Sequence, residues 1–241
     1  MDAPQETKPE KLKPANLQIG TRKVLMSTLF AGTGAFVTFR PLFLNSVISP
    51  PEIGSIMLIG SIITTFTNPV MSAMADQMKA QKALMQLSTI GQAATQMLML
   101  VPGMGYKGQL VLCTLHSMVG AHNFPTFDAS TMAVCPSRYG EIRLLGSAAF
   151  GLAAFGGGGL ISLAGGGKAT YMLAFGVASL FQLVSMPLIQ RLDFTALQAK
   201  PKKVTDPTAP TGVAALVKVF SSAKMFFFIA IVFMSGWQVT F

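Results

Sequence analysis

The stretch from His116 to Ser130, HSMVGAHNFPTFDAS, sets two imidazoles, an amide, a proline and a carboxylate inside a run of residues otherwise apolar enough for a bilayer. Such groups are costly at membrane depth and are kept there to pair, to line a watery cavity or to handle a solute. On one helix His116 and Asn123 share a face, His122 lies about 100° round from Asn123, and Asp128 projects beyond the bend expected at Pro125. The two histidines, six residues apart, diverge by about 240°, and no further ligand cluster accompanies them, which argues against a metal. The chain carries no CxxC, HExxH, Walker-type or GxSxG pattern, so metal, nucleotide and serine-hydrolase chemistry lack their usual support and no cofactor is expected. A membrane enzyme using His116, His122 and Asp128 is disfavoured because these side chains do not converge on one face.

Asp128 sits near the inner end of its span and Arg143 near the inner start of the next, antiparallel one, so a charge pair between them is sterically natural. Pairing would relieve the cost of burying either and leave a polar, switchable spot; the plainer reading is a structural salt bridge. Arg40, followed by Pro41, could snorkel outward or turn into the interior near His116, which stands at similar depth. In the second span Ser61, Thr65, Asn68 and Ser72 recur at helical spacing and should face into the bundle, to line a path or to bond neighbouring helices. Thr89, Gln92 and Gln96 in the third span, and Ser179, Gln182 and Ser185 in the sixth, read as packing contacts. The fifth, GSAAFGLAAFGGGGLISLAGGG, has small residues at four-residue spacing that let a neighbouring helix approach closely.

The elements that must position these groups are long apolar spans: Val24 to Val47, Ile53 to Ala75, Ala83 to Pro102, Gln109 to Val134, Leu144 to Ala164 and Ala169 to Gln190. Each is near the ~20 residues that cross a bilayer core. The expected fold is therefore all-α, a multipass membrane bundle. With the N-terminus cytosolic, the inner segments hold 15 of the 18 basic residues and the outer loops only Lys107 and Lys168, Arg40 lying within a span, which fixes the orientation. The net charge of +9 is dispersed over four segments, so it orients helices rather than binding nucleic acid. The polar first residues show no cleaved signal, and Cys113 and Cys135, near opposite ends of one span, read as free thiols. The layout divides into a cytosolic tail (1–23), a six-helix bundle (24–192), a basic, proline-bearing cytosolic linker (193–222) and a seventh helix (223–241) that stops within the bilayer. That is the plan of the first half of a two-bundle transporter, which would need five more helices.

RYGEIRLLGSAAFG (Arg138 to Gly151) resembles the YGRIRLWGSIGF signature of the major facilitator superfamily branch that contains lactose permease, the nucleoside-proton symporters and the eukaryotic domain-containing-six relatives. FPTFDAS (Phe124 to Ser130) is similar to that branch's fourth-helix P-x-x-D-A pattern, and FRPLFLNSVISPPEIGSI (Phe39 to Ile56) to its first-to-second helix joint. The superfamily's loop motif G-x-x-x-D-R/K-x-G-R-R/K survives in SAMADQMKAQK as Asp76, with Ser72, Gln77 and Lys79 in place of the glycine, the base and the second glycine.

The resemblance implies alternating access by two rocking bundles, a small polar organic solute such as a sugar or nucleoside, and coupling to protons. It places Asp128 where a carboxylate binds solute hydroxyls, Arg143 where an arginine pairs with it, and Phe150 where a tryptophan stacks on sugar, keeping an aromatic face without the indole donor. His122, Asn123 and Asn68 would line the route and Asp76 would serve the inner gate. A bundle of this kind works with a second one, so the chain reads as a fragment or as part of a dimer. The alternative is a six-helix membrane protein that does not transport but binds or regulates a partner, such as a full-length relative, through its glycine-rich fifth helix.

Overall fold

A computed structural model describes residues 15–165 and 168–198, and among them every regular element is helical, as the all-α reading requires. In chain order these are α1 (Ala15–Asn45), α2 (Pro50–Met78), α3 (Gln81–Leu98), α4 (Tyr106–Gly120), α5 (Asn123–Val134), α6 (Tyr139–Leu163), α7 (Lys168–Arg191) and α8 (Thr195–Gln198). A 3-10 turn, Pro136–Arg138, precedes α6. The seventh helix, the tail before residue 15 and the linker beyond residue 198 lie outside the described residues.

Local chemistry sets the boundaries. Pro50 and Pro51 open α2 where a helix needs no N–H donors, and the Glu52 carboxylate accepts from the Ser49 backbone N–H (2.9 Å) and hydroxyl (2.7 Å). Proline also explains why the single span expected over Gln109 to Val134 is two helices. Pro125 has no N–H to offer the Ala121 carbonyl, and the chain breaks at Ala121 and His122 before resuming as α5.

α1 lies along α6 and α7, and α3 and α4 close the opposite side. A Cβ placed on Gly34 of α1 would meet the Phe150 carbonyl oxygen of α6 at 2.5 Å, and one on Gly157 of α6 would meet the Phe39 ring at 2.5 Å. The two backbones therefore approach as closely as small residues permit, which is what the glycine spacing of this stretch suggested.

Polarity is distributed inside out. α3 buries Ser88, Thr89, Gln92, Thr95 and Gln96 while exposing Leu87 and Ile90, and α6 exposes Leu152, Phe155 (84%) and Leu163 (89%). Apolar surface on this scale is untenable in water and ordinary against lipid or a second bundle. Among the described residues three helices, Pro50–Met78, Pro136–Leu163 and Thr170–Arg191, are long and apolar enough to cross a membrane. Between an aromatic core around Phe36, Phe43 and Phe175 and a second core around Met85, Phe127 and Ile142, the buried amides and hydroxyls bond one another: Ser179 donates to Gln96 Oε1 at 3.1 Å and to the Ala93 carbonyl at 3.3 Å. Each such contact is worth about 0.6 kcal/mol in a membrane, so the layer fixes register more than it stabilises.

The expectation for α2 needs correction. Ser61 and Thr65 are exposed, each hydroxyl donating back to its own helix, at Met57 and Ser61 respectively, while Asn68 and Ser72 are half-buried and bonded to each other. Among the described residues this polar face enters the bundle only at Ser61, which lines a cavity between α1, α2 and α4, and Thr65 stays at the surface.

Two further differences concern the end where α1 begins and α7 finishes. Helix α1 starts well before Val24, and Arg22, counted from sequence only as an orienting charge, is fully buried. It donates to Ser130 Oγ (2.9 Å), Thr131 Oγ1 (3.2 Å) and the Asp193 carbonyl (3.0 Å). The segment after residue 192 is correspondingly not free linker at its start: Phe194 is buried in the core and α8 lies on α5. The Asp193 carboxylate accepts from the Thr195 backbone N–H (2.8 Å) and hydroxyl (2.7 Å), and the N–H above all holds its carboxyl below the usual range. Arg22→Met should therefore lower the unfolding free energy by about 2–3 kcal/mol, the cost of losing charge-assisted bonds from a sealed site. Thermal unfolding of the detergent-solubilised protein would measure it, and an unchanged midpoint would return Arg22 to the role of a surface charge.

Candidate functional site

Asp128 follows Pro125 by three residues on α5, and Arg143 lies one turn into α6, so the short connection through Pro136–Arg138 brings the two helix ends together. Arg143 Nη1 donates to both carboxylate oxygens of Asp128, at 3.0 Å and 3.2 Å. The same guanidinium lies over the Phe30 ring of α1, 4.8 Å from its centroid, and Phe30 meets Phe124 edge to face at 4.7 Å. The Tyr139 hydroxyl stands beside the Asp128 carboxylate. The pair is not sealed, since the side chains of Arg143 and Asp128 are 40% and 26% exposed. Nε and Nη2 of Arg143 make no hydrogen bond among the described residues, so the arrangement keeps donors in reserve beside an aromatic wall.

A second polar site opens between α1, α2 and α4. This cavity, of about 470 Å3, is lined on its polar side by Arg40, Ser61, Thr64, Gln92, His116 and Ser117. Arg40 turns inward: its guanidinium lies 5.4 Å from the Phe36 ring centroid and Nη2 donates to Met57 Sδ at 3.1 Å. Of the two orientations open to it from sequence, the structure has the one facing His116. The His116 ring packs on Phe36, centroids 4.5 Å apart, and Nδ1 is 2.9 Å from Thr95 Oγ1. Phe124 belongs both to this cavity and to the aromatic pair beneath Arg143, so it links the two sites.

The remaining candidates are dispersed. His122 is wholly buried and bonded to Thr126, and Asn123 is buried with its amide donating to Gln92 Oε1 at 2.7 Å. Neither lines the cavity; both are buried in the interior. The two imidazoles serve separate partners, and among the described residues no group of three or more His, Cys, Asp or Glu side chains could hold a metal ion. Asn68 is half-buried on α2, where its side-chain oxygen accepts from Ser72 Oγ at 3.4 Å. Phe150 is half-buried on α6 and lines neither the Arg40 cavity nor the apolar groove between α1, α6 and α7. Asp76 is exposed at the end of α2 and accepts from Gln81 Nε2 at 3.1 Å. Lys79, standing where the loop motif has its second glycine, nevertheless takes φ 51°, so the left-handed turn is kept without the residue that adopts it most easily.

Sequence reasoning missed Phe30 and Tyr139. The signal for Tyr139 was its place four residues before Arg143, one turn away on the same helix; Phe30 could be found only once α1 was known to lie along α6.

No curated protein and no solved structure matches the chain. A family model, the MFS_1 like family, matches residues 23–241, from the start of the apolar spans through the last residue of the sequence. The match takes in every element that builds the two polar sites: the chain belongs to the MFS_1 like family, and with it to the major facilitator superfamily.

Proposed function

We propose that the chain forms a six-helix bundle of a secondary active transporter, N-terminus cytosolic, which moves a small polar organic solute by alternating access under a proton gradient. Family membership supports a transporter of the major facilitator kind over an enzyme. The observation that carries the finer reading is the half-open Asp128–Arg143 pair. A salt bridge kept only for structure has no need of solvent access or of spare donors, whereas this one is accessible, has guanidinium donors unused among the described residues and is backed by Phe30. An accessible carboxylate, a partly unpaired guanidinium and an aromatic face can grip a polyhydroxylated or heterocyclic solute and release it when the pair re-forms.

In this reading the exposed Ser61–Thr65 face of α2 lies across the solute path from a second bundle, Asp76 belongs to the inner gate, and His122 and Asn123 hold α5 against its neighbours. Transport by rocking bundles needs rigid units, and the close α1–α6 contact supplies one.

The test is uptake into proteoliposomes of radiolabelled sugars, nucleosides and small organic acids, with and without an imposed pH gradient. Accumulation of one class above empty liposomes, collapsed by a protonophore, is the expected result. Failure of every class with protein of normal thermal stability would overturn the reading in favour of partner binding.

A further inference from the structure

Among the described residues Arg40 is a cation without an anion. Five acidic side chains fall among the described residues, and each is engaged elsewhere: Glu52 by Ser49, Asp76 by Gln81, Asp128 by Arg143, Glu141 by Lys23 and Arg138, and Asp193 by Thr195. Among the described residues the only acceptor Arg40 reaches is the Met57 thioether, a weak one, and its Nε is sealed from solvent with no partner there. A guanidinium removed from water and left unpaired is costly, and one that had only to avoid that cost would extend to the surface. Arg40 instead folds back over Phe36 to form the wall of a cavity.

The rest of the lining indicates what would fit there. Ser61, Thr64, Ser117 and His116 offer hydrogen-bonding groups around the guanidinium, while Phe124, Ile56 and Met57 make an apolar side. A carboxylate or phosphate can take parallel N–H donors from a guanidinium in a way a neutral hydroxyl cannot. We propose that the Arg40 cavity is a binding site for the anionic group of a small, partly apolar organic solute, with Arg40 as its counter-ion. The cargo role of that solute rests on the transporter reading above; the binding site itself does not.

Binding can be measured on the purified 241-residue protein in neutral phosphatidylcholine nanodiscs by calorimetry, with benzoate and phenyl phosphate as anionic probes and benzyl alcohol as the neutral one. At least one anionic probe should bind while benzyl alcohol does not. Arg40→Gln should weaken that binding by about tenfold to a hundredfold, the usual cost of losing a charge-assisted contact. Arg40→Lys, which keeps the charge but not the fork, should retain part of it and shows whether the site still folds.

Equal binding of benzyl alcohol, or anion binding unchanged in Arg40→Gln, would overturn the proposal. So would the absence of anion binding by wild-type protein, the result expected if a carboxylate outside the described residues already neutralises Arg40. Nanodiscs containing phosphatidylglycerol separate the two sources of an anion. Undiminished probe binding supports a soluble solute, while Arg40-dependent loss of binding assigns the site to a lipid headgroup and overturns it. Anion binding without uptake would keep this site and sink the transport reading; uptake of neutral solutes without anion binding would do the reverse.

Discussion

Asp128→Ala and Arg143→Ala are each expected to weaken solute binding by at least about thirtyfold, while the protein still inserts and remains folded. Each side chain would give the solute a charge-assisted hydrogen bond worth about 1.5–3 kcal/mol, and each holds the other in place to make it. The two losses should not add, because both remove the same interaction: the double substitution should bind about as poorly as either single one. A structural salt bridge behaves differently, lowering thermal stability in each variant while leaving the affinity of the surviving folded protein intact. Affinity and unfolding midpoint, measured on the same samples, separate the two.

Gly34→Val is the second large effect, and it should appear in stability rather than in binding chemistry. The added Cβ meets a backbone carbonyl of α6, not the end of a flexible side chain, so α1 and α6 must move apart along a contact that runs most of their length. Overpacking of this kind costs about 1–3 kcal/mol, and a shift between whole helices belongs at the upper limit. Gly151→Ala on α6, where an added Cβ meets nothing within 4 Å, is the matched control and should be nearly neutral. Thermal unfolding in detergent reads both; equal midpoints would mean that the close approach of α1 and α6 is not needed for the bundle to hold.

The contrast between these two positions shows what sequence could and could not convey. Small residues at four-residue spacing marked α6 as a close-packing helix, because the reason is steric and local. They could not say that α1 was the neighbour, since that depends on the order in which helices assemble. The Asp128–Arg143 pair was legible because two antiparallel helices joined by a short loop bring their ends to the same depth. His122 and Asn123 were harder to place: the wheel set them about 100° apart without saying which neighbour each meets, and both are buried against polar side chains, Thr126 for His122 and Gln92 for Asn123.

Arg22 and Arg40 show the same limit from the side of charge. Counting basic residues by segment gave Arg22 an orienting role and set Arg40 aside within a span, and it left open what each guanidinium touches. Arg22 proved to bind Ser130, Thr131 and the chain after α7, and Arg40 to turn away from the surface, because both are long side chains whose direction is set by tertiary neighbours. The polar face of α2 was legible as a stripe, but periodicity identifies a face without identifying what it meets: Ser61 lines the Arg40 cavity while Thr65 is exposed.

The central claim, a solute path open alternately to the two sides of the membrane, is tested most directly at Thr65, midway along that face. In a background with Cys113→Ala and Cys135→Ala, Thr65→Cys would be exposed to a membrane-impermeant maleimide from one side or the other of sealed proteoliposomes. Alternating access predicts that the thiol reacts from both sides while the vesicles stay impermeable to the reagent. Reaction from one side only, or from neither, would contradict it.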